Sequence, residues 1–156
     1  MLTKSNTKFV WNVEQEQAFN KIKNILVLRP VLAIYNPLFL TELHTDASQI
    51  GIGGILLQRP NKETPLRAVA YFSRQTTTEE QNFHLFELET LAVVMSLNRF
   101  RAYLLGIEFK IMTDCHAVRQ TWAKRDLVPR IARWWLQAQE FNFDIEYRPG
   151  TYDNER

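Results

Sequence analysis

A helical pattern lies between two apolar stretches that end in the same dipeptide. Phe39-Leu40-Thr41-Glu42-Leu43-His44 runs into Thr45-Asp46, and Glu108-Phe109-Lys110-Ile111-Met112 runs into Thr113-Asp114. Between them, from about Glu79 to Leu104, Phe83, Phe86, Val93, Leu97, Phe100 and Leu104 line one helical stripe, and Gly106 ends it. A strand that returns to a sheet through a helix lies parallel to the strand it joins by crossover. The spacing therefore predicts a strand from near Phe39 to Asp46, a helix over 79–104 and a parallel strand over 107–113.

The rest of the chain fills in around this unit. Asn12-Val13-Glu14-Gln15 has the form of a capping box, and Ala18, Phe19, Ile22, Ile25 and Leu26 follow at helical spacing. That predicts a helix over about 13–27, stopped by Pro30. Gly51, Gly53 and Gly54 sit after the first strand and lead into Ile55-Leu56-Leu57-Gln58. Arg59-Pro60-Asn61-Lys62 reads as a turn and Arg67 to Ser73 as a third strand, so three strands form an antiparallel meander. Cys115 to Trp122 reads as a short helix, Pro129 to Phe141 as a longer one with Pro129 in its first turn, and Phe143 to Tyr147 as a last strand. The expected architecture is α/β: a mixed five-stranded sheet with helices packed on it.

Composition narrows the setting. At 156 residues and 46% hydrophobic content, the natural prior is one domain with an ordinary packed core. A single cysteine, Cys115, allows no internal disulfide and fits an intracellular, reducing setting rather than secretion. No apolar run approaches the roughly 18–20 residues of a membrane span, so no membrane partner is expected. A net charge of +2 permits a polyanionic partner without arguing for one.

The carboxylates carry the chemistry. Asp46 and Asp114 sit where apolar strands give way to loops, and ligands of open α/β sheets gather outside the carboxyl ends of strands. Two such carboxylates repel, and a divalent cation removes the conflict. The helix offers Glu87 and Glu89, which lie about 200° apart and cannot share a face. Glu89 borders the Phe86/Val93/Phe100 stripe, with small Ala92 and Ser96 beside it that let the helix approach the sheet. Glu89 is therefore the choice. Singly, Asp46 reads as a turn residue, Asp114 as an N-cap and Glu89 as a helix-edge charge. Together, the repeated Thr-Asp ending and the strand–helix–strand order favour a metal site.

Other features weigh less. Gly51-Ile52-Gly53-Gly54 continues into a strand, not a helix, so it reads as a turn or bulge rather than a nucleotide loop. Lys124, Arg125, Arg130 and Arg133 interleave with Trp122, Trp134 and Trp135, as on surfaces that track a phosphate backbone. The plainer alternative is core tryptophans beside solvated cations. His44, His84 and His116 lack a zinc pattern. His116 reads as a loop residue close to the site.

The chain resembles the ribonuclease H domain of retroelement reverse transcriptases, especially those of gypsy-type LTR retrotransposons. The residues that carry this are Phe9-Val10-Trp11, Ala18-Phe19, Pro30-Val31-Leu32, Thr45-Asp46-Ala47-Ser48 with Gly51, and Ala70-Tyr71-Phe72-Ser73-Arg74. The series continues through Glu80-Gln81-Asn82-Phe83, Glu87-Leu88-Glu89-Thr90-Leu91-Ala92-Val93, Phe100 to Gly106, Thr113-Asp114, Arg133-Trp134 and Ile145 to Gly150.

The resemblance implies a ribonuclease H-like fold and two-metal hydrolysis of the RNA strand of an RNA–DNA hybrid. It implies two magnesium ions, replaceable by manganese, held by Asp46, Glu89 and Asp114, the three also reached from spacing. It places Ser48, Ser73, Arg74 and Gln75 near the hybrid, while the basic segment offers Lys124, Arg125 and Arg130 as further nucleic-acid contacts. Residues 1–38 look like the end of the connection that follows the polymerase portion of the same polyprotein, 39–150 like the ribonuclease H-like domain and 151–156 like a tail.

The family also places a fourth aspartate on a C-terminal helix after the last strand. That helix is absent before Arg156, and Asp153 and Glu155 do not fit its pattern. The chain is then a segment cut before that helix or an incomplete relic, and weak or no cleavage by it alone is the expectation. An integrase core orders its acids Asp, Asp, Glu, and here the glutamate lies in the middle. The remaining alternative is a non-catalytic domain, domesticated or truncated, that binds nucleic acid or serves as a connection; the intact triad argues against it.

Overall fold

The computed structural model describes residues 11–28, 32–123 and 127–148. The chain divides into two compact units, 1–31 and 32–156. In the first, helix α1 spans Val13–Leu28. Asn12 starts it as expected: its Oδ1 accepts the Glu14 N–H, and its own N–H donates to Gln15 Oε1, both at 3.1 Å. Trp11 Nε1 donates to Glu16 Oε2 at 2.6 Å, and its ring meets Phe19 edge-on.

The second unit is built on strands β1 (Leu40–Ala47), β2 (Gly51–Arg59), β3 (Arg67–Gln75), β4 (Glu108–Thr113) and β5 (Asn142–Tyr147). They form one mixed sheet in the order β3-β2-β1-β4-β5. β1–β2 and β2–β3 are antiparallel; β1–β4 and β4–β5 are parallel. The chain leaves β1 by a hairpin on one side and returns on its other side after a helical crossover, which makes the β1/β4 boundary the switch point of the sheet. Residues 33–36 already belong to this unit. The Ala33 N–H donates to the Ala68 carbonyl at 2.6 Å, and the Gln58 side chain exchanges two 3.0 Å hydrogen bonds with the Asn36 backbone.

The crossover is helix α2 (Leu85–Arg99), extended by the single turn α3 (Arg101–Leu104). The continuous helix expected over 79–104 is thus interrupted. A 3₁₀ turn at Glu80–Asn82 precedes α2, and Phe100, with φ −97° and ψ 14°, separates α2 from α3. The Phe100 ring is buried in the core, so packing holds the backbone out of the helical region at that point. Gly106 follows at φ 84°, the left-handed conformation that suits glycine after a helix.

α2 is buried from Glu87 to Val94, because it lies between the sheet and helix α5 (Pro129–Ala138). Its Val93 and Leu97, with Phe100 and Leu104, pack on Leu43, Leu56, Phe109 and Ile111 of the strands. Val118 of helix α4 (His116–Ala123) and Ile131 and Trp135 of α5 complete this core.

The three glycines form no turn or bulge; they are residues of β2 itself. Gly54 faces α2, and a Cβ there would lie 2.2 Å from Ser96 Oγ. Close approach of helix and sheet, with Ala92 fully buried, is what the glycine permits. The register shift of β2 against β3 falls instead at Leu56/Leu57.

Candidate metal centre

β1 and β4 are in register at Leu43↔Ile111 and His44↔Met112. Asp46 and Asp114 each stand two residues further along, so both emerge at one edge of the sheet, at its switch point. Both are exposed. At the turn into α4 the side-chain bond comes from Thr113, whose Oγ1 accepts the Cys115 N–H at 3.1 Å.

Glu89 comes from the second turn of α2. It is only 4% exposed. Asp46, Glu89 and Asp114 can each offer one carboxylate oxygen with all three atoms within 4.8 Å of one another. Burial, then the charges of Asp114 and Asp46, push the Glu89 carboxyl up to about 8, against a hydrogen bond from the Ala47 N–H that pulls it down. Glu89 Oε2 is buried and has no hydrogen-bond partner. A buried acceptor without a donor is costly, and three carboxylate oxygens this close together favour a hard divalent cation. The donor set and the unpartnered oxygen both fit such an ion.

Glu87, two residues earlier, has a different fate. Its Oε2 accepts the His84 N–H at 3.0 Å at the start of α2. Its Oε1 accepts from Arg130 Nη1 at 3.2 Å. The two glutamates diverge around the helix as their spacing predicts.

The residues predicted to touch nucleic acid separate into two groups. Ser48, Ser73, Arg74 and Gln75 line one open groove of about 650 Å³ together with Asp46. Within it, Arg74 is engaged: its Nη1 and Nη2 donate to the two Glu80 oxygens at 2.7 Å each. That hydrogen-bonded pair raises the Arg74 pKa and holds Glu80 below the usual carboxylate range. Arg74 braces the end of β3 against the 80–82 turn. Arg130 is likewise committed, to Glu87 and to the face of Phe83, whose centroid lies 4.0 Å from its guanidinium carbon. Lys124 and Arg125 lie outside the described residues.

Trp135 is core, and Trp122 packs on it edge-on. His116 is not in a loop. It begins α4 and sits 5.0 Å, ring to ring, from Tyr147.

Two features escaped sequence reasoning. Glu80 organises the groove wall, and its signal was present in Thr77-Thr78-Glu79-Glu80, a second capping box. The Thr77 N–H donates to Glu80 Oε2 at 2.8 Å, and the Glu80 N–H donates to Thr77 Oγ1 at 3.2 Å. Ile50 also lines the groove, and nothing in the local pattern marks an exposed isoleucine as functional.

Comparison with known proteins adds a family. The family described as the RNase H-like domain found in reverse transcriptase matches residues 11–111, which include Asp46 and Glu89 and stop just before Asp114. The Transposon Tf2-3 polyprotein of Schizosaccharomyces pombe is 36% identical over 154 residues, covering 96% of this chain. The chain spans only 12% of that relative's length.

Among solved structures, the foamy viral protease–reverse transcriptase in complex with RNA/DNA hybrid aligns with a TM-score of 0.59 at 17% identity. It covers 97% of this chain and 21% of that one. RNase H1 from the halophilic archaeon Halobacterium salinarum NRC-1 aligns with a TM-score of 0.53 at 14% identity, covering 70% of this chain and 86% of that one. At these identities the likeness is one of fold, and the mixed five-stranded sheet with its helices is that fold.

Proposed function

The chain belongs to the family of RNase H-like domains found in reverse transcriptase, and from that membership we propose that it hydrolyses the RNA strand of RNA–DNA hybrids with divalent cations. The observation that carries this reading is the meeting of Asp46, Glu89 and Asp114, one carboxylate oxygen from each within 4.8 Å of the others, with a buried and unpartnered oxygen on Glu89.

In this reading the three carboxylates hold magnesium, or manganese in its place. When bound, two such ions supply an activated water and stabilise the leaving oxygen of an in-line displacement. The protein's own part is placement. The parallel pairing of β1 and β4 fixes Asp46 and Asp114 at one edge. The Gly54–Ser96 contact sets how deeply α2 sits and so where Glu89 reaches. With its carboxyl pushed up to about 8, Glu89 would hold a proton near neutral pH in the metal-free site and would release it to a bound cation. Ser73 and Gln75 offer polar groups along the groove that leads to Asp46, which Ser48 also lines. A hybrid is recognised there by its groove shape and 2′-hydroxyls.

The Tf2 likeness and the reverse-transcriptase family support a place within a retroelement polyprotein, beside a polymerase portion. No helix among the described residues is long and apolar enough to cross a membrane.

The test offers end-labelled RNA–DNA hybrid, duplex DNA and duplex RNA, each with magnesium and with manganese. The reading expects cuts, however weak in this chain, in the RNA strand of the hybrid alone, with binding that weakens as salt rises. Equal binding to all three duplexes with no cut in any would refute it.

A further inference from the structure

Ile50 is 77% exposed and lies four residues after Asp46, on the tight turn between β1 and β2. That turn is held from both sides. The Ser48 N–H and hydroxyl donate to the Gly51 carbonyl at 2.8 and 3.2 Å, and the Gly51 N–H donates to Ser48 Oγ at 3.2 Å. Thr76, buried at the end of β3, donates its N–H to the Ile50 carbonyl at 3.3 Å and its hydroxyl to the Gln49 carbonyl. The carbonyls of Gln49, Ile50 and Gly51 are thus engaged within the protein, and the turn presents the Ile50 side chain outward beside that of Gln49.

Its surroundings give that side chain a use. Ile50 lines the same 650 Å³ groove as Asp46. In the sheet, Gly53 pairs with Asp46 on one side and with Ser73 on the other. The absence of side chains at Gly51 and Gly53 keeps the floor low, and Ile50 adds a large apolar group to the rim. A single exposed isoleucine on an ordinary surface needs no account. One fixed on a braced turn, in a groove that reaches Asp46, is placed to touch a molecule lying in that groove. Phosphates do not reward an apolar contact. The sugar faces and base edges of a duplex minor groove do, and isoleucine is among the side chains that proteins insert there.

Building on the nuclease reading above, we propose that Ile50 is a positioning residue. Its side chain packs on the sugars of the strand in the groove and fixes which phosphate falls on Asp46, Glu89 and Asp114. It sets the register of cutting and takes no part in the chemistry.

The experiment compares the wild-type chain with Ile50→Ala, Ile50→Asp and Ile50→Val, and with Leu136→Ala as an exposed apolar control on α5. Hybrid binding is measured by fluorescence anisotropy without added metal. Cleavage of end-labelled hybrid then gives KM, kcat and the cut positions. Ile50→Ala is expected to raise Kd and KM roughly five- to tenfold, with kcat changed far less and the cuts spread over neighbouring phosphates. Ile50→Asp should weaken binding further, Ile50→Val should restore most of it, and Leu136→Ala should match wild type. Wild-type binding and cutting with an unchanged Ile50→Ala would overturn this proposal and leave the nuclease reading intact. A wild-type chain that binds no hybrid would overturn both.

Discussion

Two buried glutamates on successive turns of α2 have opposite surroundings. Glu87 is 7% exposed and Glu89 is 4% exposed, so desolvation acts on both. Glu87 has a backbone N–H on one oxygen and Arg130 on the other. Glu89 faces two further carboxylates and leaves one oxygen without a donor. The first arrangement stabilises the protein as it stands. The second is stable only with a proton or a cation supplied from outside. Burial alone therefore does not mark a functional acid; burial without satisfaction does.

The largest expected difference between the two is in activity. Glu89→Gln should lower hybrid cleavage at least about a hundredfold, since changing groups that merely support metal ligands already costs 10–100-fold. Glu87→Gln should retain most of it. Equal losses in the two variants would erase the distinction.

The next difference is in stability against pH, measured without metal. The Glu89 carboxyl titrates near 4.5 when unfolded and near 8 when folded, so the fold favours its protonated form. This contribution is complete below pH 4.5 and is lost as pH rises towards 8. Wild type should lose on the order of a few kcal/mol over that window relative to Glu89→Gln. Magnesium should remove the loss. Parallel stability–pH curves for the two proteins would count against the assignment.

A smaller effect concerns the floor on which α2 rests. Gly54→Ala puts a methyl group against Ser96 Oγ and should cost about 1–3 kcal/mol, as overpacking does. It should also weaken metal binding, because Glu89 moves with the helix. Chemical denaturation and manganese titration check the two halves of that statement. Smallest is Arg130→Ala. Its guanidinium is half-exposed, so loss of the Glu87 pair and the Phe83 contact should cost about 1 kcal/mol. Cleavage in the metal site should be little changed; a large loss would mean that Arg130 also meets the substrate.

Much of this was legible before the structure. The repeated Thr-Asp ending and the helical stripe between the strands are local patterns, and they lead to Asp46, Glu89 and Asp114. The small residues beside Glu89 foretold the close approach of helix and sheet. What could not be read were features decided by tertiary partners. The glycines of β2 look like a turn until Ser96 is seen across from Gly54. Arg130 looks like a free cation until Glu87 and Phe83 are placed beside it, and the pairing of Arg74 with Glu80 shows only in the fold. The break at Phe100 comes from its packing, not from any helix-breaking residue. The capping box at Thr77 and Glu80 is the exception, since its signal is local.

The central claim is that Glu89 is the buried member of a cation site. Manganese titrated into the wild-type chain at pH 7 by calorimetry, in two buffers of different ionisation enthalpy, tests it most directly. The account predicts binding with release of close to one proton, about the fraction that a group titrating near 8 still holds at pH 7. It also predicts that both binding and proton release are lost in Glu89→Gln and kept in Glu87→Gln. Binding that survives Glu89→Gln unchanged, or that releases no proton from wild type, would contradict it.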